Sequence, residues 1–139
     1  MKKLWLALAL AALTAGLIPA PASASNTAIV IPFEKHWVGE GHYVGTTDDG
    51  STIEMFIYNE SFTGDVQHFT ATVLLDLPEG SLRAILKGRF DGNTLEAVLN
   101  GRVVEGWLEG ARVHEESQLV GFDPLTFVGM VQLMPGSAD

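Results

Sequence analysis

Apolar and polar residues alternate most regularly along segment 81–114 of the chain. Even-numbered positions in 82–90 are apolar or small, odd-numbered positions are mostly polar, and the same period of two continues through 95–103. A period of two is typical of β-strands. Asp91-Gly92 stands between the two runs and is a common two-residue hairpin turn. The pattern therefore predicts two antiparallel strands joined by a tight turn.

The same reasoning extends the predicted sheet in both directions. Further turns at Glu79-Gly80 and Glu105-Gly106 add one strand on each side, which gives a four-stranded meander. In this register large side chains mostly face small ones on the inner surface, as a layer without voids requires. The predicted inner pairs include Leu75/Ala84, Leu86/Ala97, Ala84/Leu99 and Phe69/Phe90.

This register also places two polar side chains inside the predicted sheet. Arg112 lies opposite Leu99, and His114 lies opposite Ala97. A guanidinium in an apolar interior needs a partner. Either Arg112 fixes the following loop through Glu115, Glu116 or Asp123, or it orients the polar end of a ligand beside His114. The predicted ligand-binding lumen residues are Arg112, His114, Leu99, Leu86, Phe90 and Phe69.

On the outer face, the register predicts one apolar row across four strands. Its members are Leu74, Ile85, Val98 and Val113. A contiguous apolar surface on a soluble protein usually marks a partner interface. We therefore expect a homo-oligomer that associates through this row.

The chain after residue 26 divides into eight strand-like segments with almost no helical pattern. Most connections are short, so neighbours in sequence are expected to be antiparallel neighbours in space. Eight such strands favour an all-β, antiparallel up-and-down barrel, because closure removes exposed edges; a β-sandwich is the alternative. Segment 115–125 is the longest predicted connection and the expected mobile flap. The predicted strands are 27–33, 36–46, 52–60, 66–77, 81–90, 93–104, 107–114 and 126–134.

The beginning of the chain has the pattern of a secretory signal peptide. Two lysines precede an apolar run over 4–18, and Ala22-Ser23-Ala24 supplies small residues for the peptidase. We predict cleavage after Ala24, which leaves 25–139 as one secreted or periplasmic barrel domain. The apolar run is shorter than the roughly 20 residues that span a bilayer, so the mature chain is expected to have no membrane span. The chain contains no cysteine, which excludes disulfides.

Charge and motif content narrow the possible functions. Lys2 and Lys3 are two of the eight basic residues, so the mature chain has six basic against seventeen acidic residues, a formal charge of −11. Nucleic-acid binding requires a basic surface, so we expect no nucleic-acid partner. His36, Glu40 and His42 share one face of a predicted strand, but no compact ligand motif accompanies them, so we predict no metal and no cofactor. No nucleophile elbow or phosphate-binding glycine loop is present.

Residues 69–134, about half of the mature chain, resemble the allene oxide cyclase and dirigent-like barrel superfamily. The family turn "lP-G-x-l" matches Leu77-Pro78, Gly80 and Leu82. The family segment "A-V-x-G-G-T-G-x-Y-x-G-A-R-G" matches Ala97-Val98, Gly101, Gly106 and Gly110-Ala111-Arg112. The sequence departs from it where Arg102-Val103-Val104-Glu105 interrupts the glycine run, where Trp107 is displaced by one position, and where Val113 replaces a glycine. Segment 37–41, Trp-Val-Gly-Glu-Gly, is also similar to the opening strand of lipocalins.

The sequence thus predicts a secreted barrel whose lumen binds one small apolar or aromatic ligand. An eight-stranded barrel is just wide enough for one. The family resemblance implies that such a protein could steer a cyclisation or a coupling without a cofactor. The alternative is an exported structural or interaction module whose side chains fill the barrel.

Overall fold

Eight antiparallel strands, hydrogen-bonded in chain order, close into a barrel in the computed structural model, which describes residues 27–136. β1 pairs with β8 from Ile29↔Leu133 to His36↔Thr126, so every strand has two neighbours. The predicted barrel is confirmed, and the sandwich alternative is wrong. The strands are β1 (Ile29–Gly39), β2 (His42–Thr47), β3 (Thr52–Thr63), β4 (Val66–Leu77), β5 (Gly80–Asp91), β6 (Glu96–Gly106), β7 (Arg112–Phe122) and β8 (Leu125–Met134).

The predicted signal peptide, residues 1–24, lies outside the described residues. Within 27–136 the chain forms no helix, and so none that is long and apolar enough to cross a membrane.

The turns divide the barrel into two ends. Turns 40–41, 64–65, 92–95 and 123–124 lie at one end, which we call the open end. Turns 48–51, 78–79 and 107–111 lie at the other end, which we call the packed end, together with the start of β1 and the finish of β8. The distinction matters because the interior is filled at the packed end and contains a cavity toward the open end.

Two strand pairs have a different register from the predicted one but keep the predicted faces. Leu75 pairs with Leu82, two positions from the predicted Ala84, because residues 78–79 form the turn. Leu86 pairs with Gly101, four positions from the predicted Ala97. The β5–β6 turn is longer than a two-residue hairpin, with Leu95 at φ 64° and its N–H donating to the Asp91 carbonyl at 2.7 Å. Even shifts leave each side chain on its original face.

The β6–β7 register differs by three residues, and this odd shift reverses the face of β7. Arg102 pairs with Arg112 and Leu99 with Glu115, so the predicted pairing of Leu99 with Arg112 is wrong. β6 continues through the predicted turn as far as Gly106, and the chain reverses only over 107–111. There the Val103 N–H donates to the Ala111 carbonyl, and the Gly110 N–H donates to the Val103 carbonyl.

As a result, the predicted inward positions of Arg112 and His114 are wrong. Arg112 is exposed. His114 lies on the outer face, where Nδ1 is 2.7 Å from Asn100 Oδ1 and Nε2 is 2.7 Å from Glu116 Oε2. Neither reading of Arg112 as an interior side chain therefore applies.

The predicted outer apolar row is also absent. Val113 faces inward and is buried. Leu74 pairs with Arg83, and Ile85 lies between Thr72 and Arg102. Val98 lies between Arg89 and Glu116. With charged residues beside its remaining members, this row gives no continuous apolar surface, and oligomerisation stays a prediction.

Two segments predicted as connections are strand. Segment 115–122, predicted as part of a mobile flap, continues β7, and only 123–124 form the turn. β1 runs unbroken through Glu34 and Lys35, where the sequence suggested a break. Both errors have the same cause, because polar side chains at inward positions interrupt the apolar alternation that predicts a strand.

Candidate functional site

The half of the barrel nearest the packed end is filled by apolar side chains. Trp107 packs over Gly80, where a Cβ atom would lie 2.9 Å from the Trp107 Cβ. The side chains that fill this half are buried, and they include Ile31, Phe33, Ile53, Leu75, Leu86, Val103 and Leu133.

A cavity of about 140 Å³ occupies the interior toward the open end. Three of its aromatic rings are arranged edge to face, with centroids 5.7 Å apart for Tyr43 and Phe127 and for Phe90 and Phe127. Ile57, Gln67, Phe90 and Leu125 are only half-buried, so the cavity reaches the end of the barrel. The apolar and aromatic lining consists of Tyr43, Met55, Ile57, Phe69, Phe90, Ala97, Leu99, Leu119, Leu125 and Phe127, and the polar lining of Lys35, Gln67, Glu115 and Ser117.

A buried ion pair crosses the interior beside this cavity. Lys35 Nζ on β1 bonds to Glu115 Oε2 on β7, and both side chains are at most 2% exposed. The same ammonium lies 3.2 Å from Met55 Sδ and 4.8 Å from the centroid of the Phe33 ring. Since β8 separates β1 from β7, the pair ties strands that share no ladder. In a buried pair of opposite sign, each charge is stabilised by the other, because neither is solvated by water.

Two oxygen atoms of residues that line the cavity have no hydrogen-bond partner among the described residues. They are Glu115 Oε1 and Ser117 Oγ, two positions apart on the inner face of β7. Glu115 is 0% exposed and Ser117 is 8% exposed. A buried polar group without a partner is rare and destabilising. Glu115 and Ser117, together with Lys35, which bonds to Glu115, therefore form one polar corner of a mostly apolar cavity.

Glycines allow the strands to approach closely at this corner. Gly129 on β8 pairs with Ser117, and Gly45 on β2 pairs with Lys35. A Cβ atom at Gly129 would lie 2.0 Å from the Glu116 carbonyl oxygen, and one at Gly45 would lie 2.0 Å from the Glu34 carbonyl oxygen. Glycine is thus required opposite Ser117 and opposite Lys35.

Tyr43 brings a titratable hydroxyl to the cavity wall. Burial raises its pKa above the ordinary value of 10.0, and the negative charge of Glu60 raises it further. The cause is that both effects disfavour the phenolate. Below pH 10 Tyr43 is neutral in both the folded and the unfolded state, and its contribution to stability is fully present. As the pH rises through the higher pKa of the folded protein, the unfolded state releases the proton first, and the free energy of unfolding falls.

Tyr43 should therefore dominate the high-pH part of a tyrosine titration. We expect Tyr43→Phe to remove the step of phenolate absorbance that lies above pH 10 in the folded protein, whereas Tyr58→Phe, on the outer face, should leave it. Ultraviolet absorbance as a function of pH measures this directly. Loss of the step in Tyr58→Phe, with retention in Tyr43→Phe, would contradict the assignment.

Histidines lie outside the cavity. His42 Nε2 contacts Glu54 Oε2 at 2.6 Å, and its ring stacks on Phe56 with centroids 4.3 Å apart. Across the part of the chain that the structure describes, no three His, Asp or Glu side chains are close enough together to hold a metal ion.

The predicted lumen residues divide into three groups. Leu99, Phe69 and Phe90 line the cavity, and Leu86 lies in the filled half. Arg112 and His114 lie on the outer face. The sequence pattern did not indicate Lys35 as a lumen residue, and it indicated Glu115 only as a partner for Arg112. The signal available for Lys35 was alternation, since it continues the inward series of Ile31 and Phe33. Glu115 shares the face of Val113, which the predicted register placed outward, so alternation alone did not bring Glu115 inside.

No family model, no curated protein and no solved structure matches this chain. The resemblance to allene oxide cyclases and dirigent-like proteins therefore stays a prediction.

Proposed function

We propose that this protein binds one small apolar or aromatic molecule inside the barrel. The observation that carries the proposal is the cavity of about 140 Å³, whose wall is mostly aliphatic and aromatic. Ligand sites are typically apolar concavities with a few polar groups that orient the ligand. The filled half of the barrel supports the proposal further, because it confines the cavity to the half nearest the open end.

The volume sets the size of the ligand. A dry cavity of about 150 Å³ lined by Leu, Ile and Phe binds benzene. The cavity here is of similar volume and has a similar wall, so it suits a single ring with one or two small substituents. Drug-sized ligands occupy roughly 300–1,000 Å³ and would not fit without rearrangement.

Two further parts of the proposal concern location and chemistry. The predicted signal peptide supports a protein that acts outside the cytoplasm. The cyclisation or coupling implied by the family resemblance would begin from the same bound state, and turnover of a candidate substrate is its test. Binding is the part that the cavity itself supports.

Filling the cavity should abolish binding. Ala97 lines the cavity and is buried, so Ala97→Phe would place a ring in the volume that the ligand needs. We expect wild type to bind toluene, measured by NMR shifts of the Met55 and Leu99 methyl groups. Ala97→Phe should lose this binding while remaining folded by circular dichroism.

Val98→Phe is the matched control, because Val98 is the next residue on β6 and lies on the outer face. It adds a ring of the same size without entering the cavity, and should bind toluene as wild type does. Wild type that shows no saturable shift with toluene would overturn the proposal and favour a barrel with a structural role.

A further inference from the structure

The polar corner of the cavity specifies which functional group the ligand carries. Glu115 Oε2 is bonded to Lys35, but Glu115 Oε1 and Ser117 Oγ have no partner among residues 27–136. Both side chains are more than nine-tenths buried and belong to the cavity lining. Such atoms are normally hydrogen-bonded in folded proteins, so a ligand that reaches them would make bonds that no described residue makes.

The hydrogen-bonding capacity of these two atoms identifies the group. A carboxylate oxygen only accepts hydrogen bonds, whereas a serine hydroxyl both donates and accepts. A ligand hydroxyl is complementary to this combination, because its O–H can donate to Glu115 Oε1 and its oxygen can accept from Ser117 Oγ. A methyl group, a fluorine atom or an ether oxygen could not donate a hydrogen bond to Glu115 Oε1.

The charges already inside the barrel exclude a ligand that carries an ionised group. Lys35 already balances Glu115 inside the barrel. A neutral hydroxyl leaves this balance unchanged, whereas a carboxylate or an ammonium would bring an unpaired charge into an apolar cavity, which is costly.

We propose that the cavity takes a neutral, single-ring molecule bearing a hydroxyl group, of the size and class of phenol, with the hydroxyl held between Glu115 and Ser117. This inference rests on the proposed function and specifies its ligand class. The apolar ring contacts Phe69, Leu99 and Phe127, and the hydroxyl lies at the polar corner.

Ser117→Ala tests the inference with phenol and toluene as paired probes, since the two molecules have the same number of heavy atoms. Ser117 Oγ bonds to no described residue, so its removal should not lower stability in urea. We expect the affinity for phenol to fall about five- to tenfold, the loss of one hydrogen bond. The affinity for toluene should stay the same or rise.

The paired probes separate failure of this inference from failure of the proposed function. Equal changes for phenol and toluene would overturn the hydroxyl assignment, because Ser117 would then shape only the wall. Toluene binding with no phenol binding would overturn it as well, while leaving the apolar cavity intact. If neither probe binds wild type, the proposed function itself fails.

Discussion

Lys35→Met should lower the free energy of unfolding by about 3–5 kcal/mol, because it leaves the Glu115 charge buried without a partner. The substitution keeps a long side chain and removes only the ammonium, so little packing is lost. Urea unfolding followed by tryptophan fluorescence measures the change, since Trp107 is half-buried at the packed end.

A double variant separates the ion pair from the general effect of substitution. Lys35→Met combined with Glu115→Leu replaces both charges by apolar groups, and such replacements are often neutral or stabilising by about 1–4 kcal/mol. We therefore expect the double variant to recover the stability that the single variant loses. It also removes Glu115 Oε1, which has no partner among residues 27–136.

Arg83→Met provides the matched control on the surface. Arg83 Nε lies 3.0 Å from Glu105 Oε1, but the two side chains are 41% and 69% exposed. Exposed ion pairs contribute about 0–1 kcal/mol, so this variant should differ little from wild type. A Lys35→Met variant as stable as Arg83→Met would show that Lys35 is not paired inside the barrel.

Gly129→Ala should destabilise the barrel by about 3 kcal/mol. A Cβ atom there would lie 2.0 Å from the Glu116 carbonyl oxygen and 2.6 Å from Ser117 Cα. These are backbone atoms of the paired strand, so they cannot move away without disturbing the β7–β8 ladder. Overpacking of this kind typically costs about 1–3 kcal/mol, and the rigid backbone neighbour places Gly129 at the upper end. Thermal and urea unfolding measure the effect.

Gly39→Ala is the control for the substitution itself. Apart from its two chain neighbours, no atom of residues 27–136 lies within 4 Å of a Cβ built at Gly39, and the φ of Gly39 is not in the left-handed region. The added methyl group should be neutral, or stabilising by up to about 1 kcal/mol, because it restricts the unfolded chain. If Gly129→Ala were equally harmless, β7 and β8 would not approach each other as closely as the structure shows.

Where the predicted register was wrong by an even number of residues, the predicted face of the strand was still correct. Phe69 and Leu99 point inward as predicted, although β4 and β5 are displaced by two residues and β5 and β6 by four. Alternation determines the face, and turn geometry determines the register. The two-residue turn assumed at Asp91-Gly92 was wrong because the chain uses a longer loop that ends at Leu95.

Arg112 lies on a strand whose predicted register was wrong by an odd number of residues, so its predicted face was wrong. Its predicted position depended on a tight turn at Glu105-Gly106, and the real connection at 107–111 moves β7 by an odd number of residues. Nothing local in the sequence separates the two possibilities, because both put a glycine at the reversal. The difference comes from the rest of the barrel, in which Val113 packs inward against the core.

The ion pair could not be predicted from local pattern alone. Lys35 and Glu115 are 80 positions apart, and each interrupts an apolar alternation in its own strand. Considered separately, each is a charged residue of a type that is rarely buried unless it is paired. Together they satisfy each other's charge, which is a property of the closed barrel and not of either segment.

Co-crystallisation of the protein with phenol is the direct test of the proposed ligand site. We expect a ring in the cavity against Phe69, Leu99 and Phe127, with its hydroxyl within about 3 Å of Glu115 Oε1 and Ser117 Oγ, and Lys35 bonded to Glu115 beside it. A cavity filled by protein side chains, or a Glu115 carboxylate on the barrel surface, would contradict it.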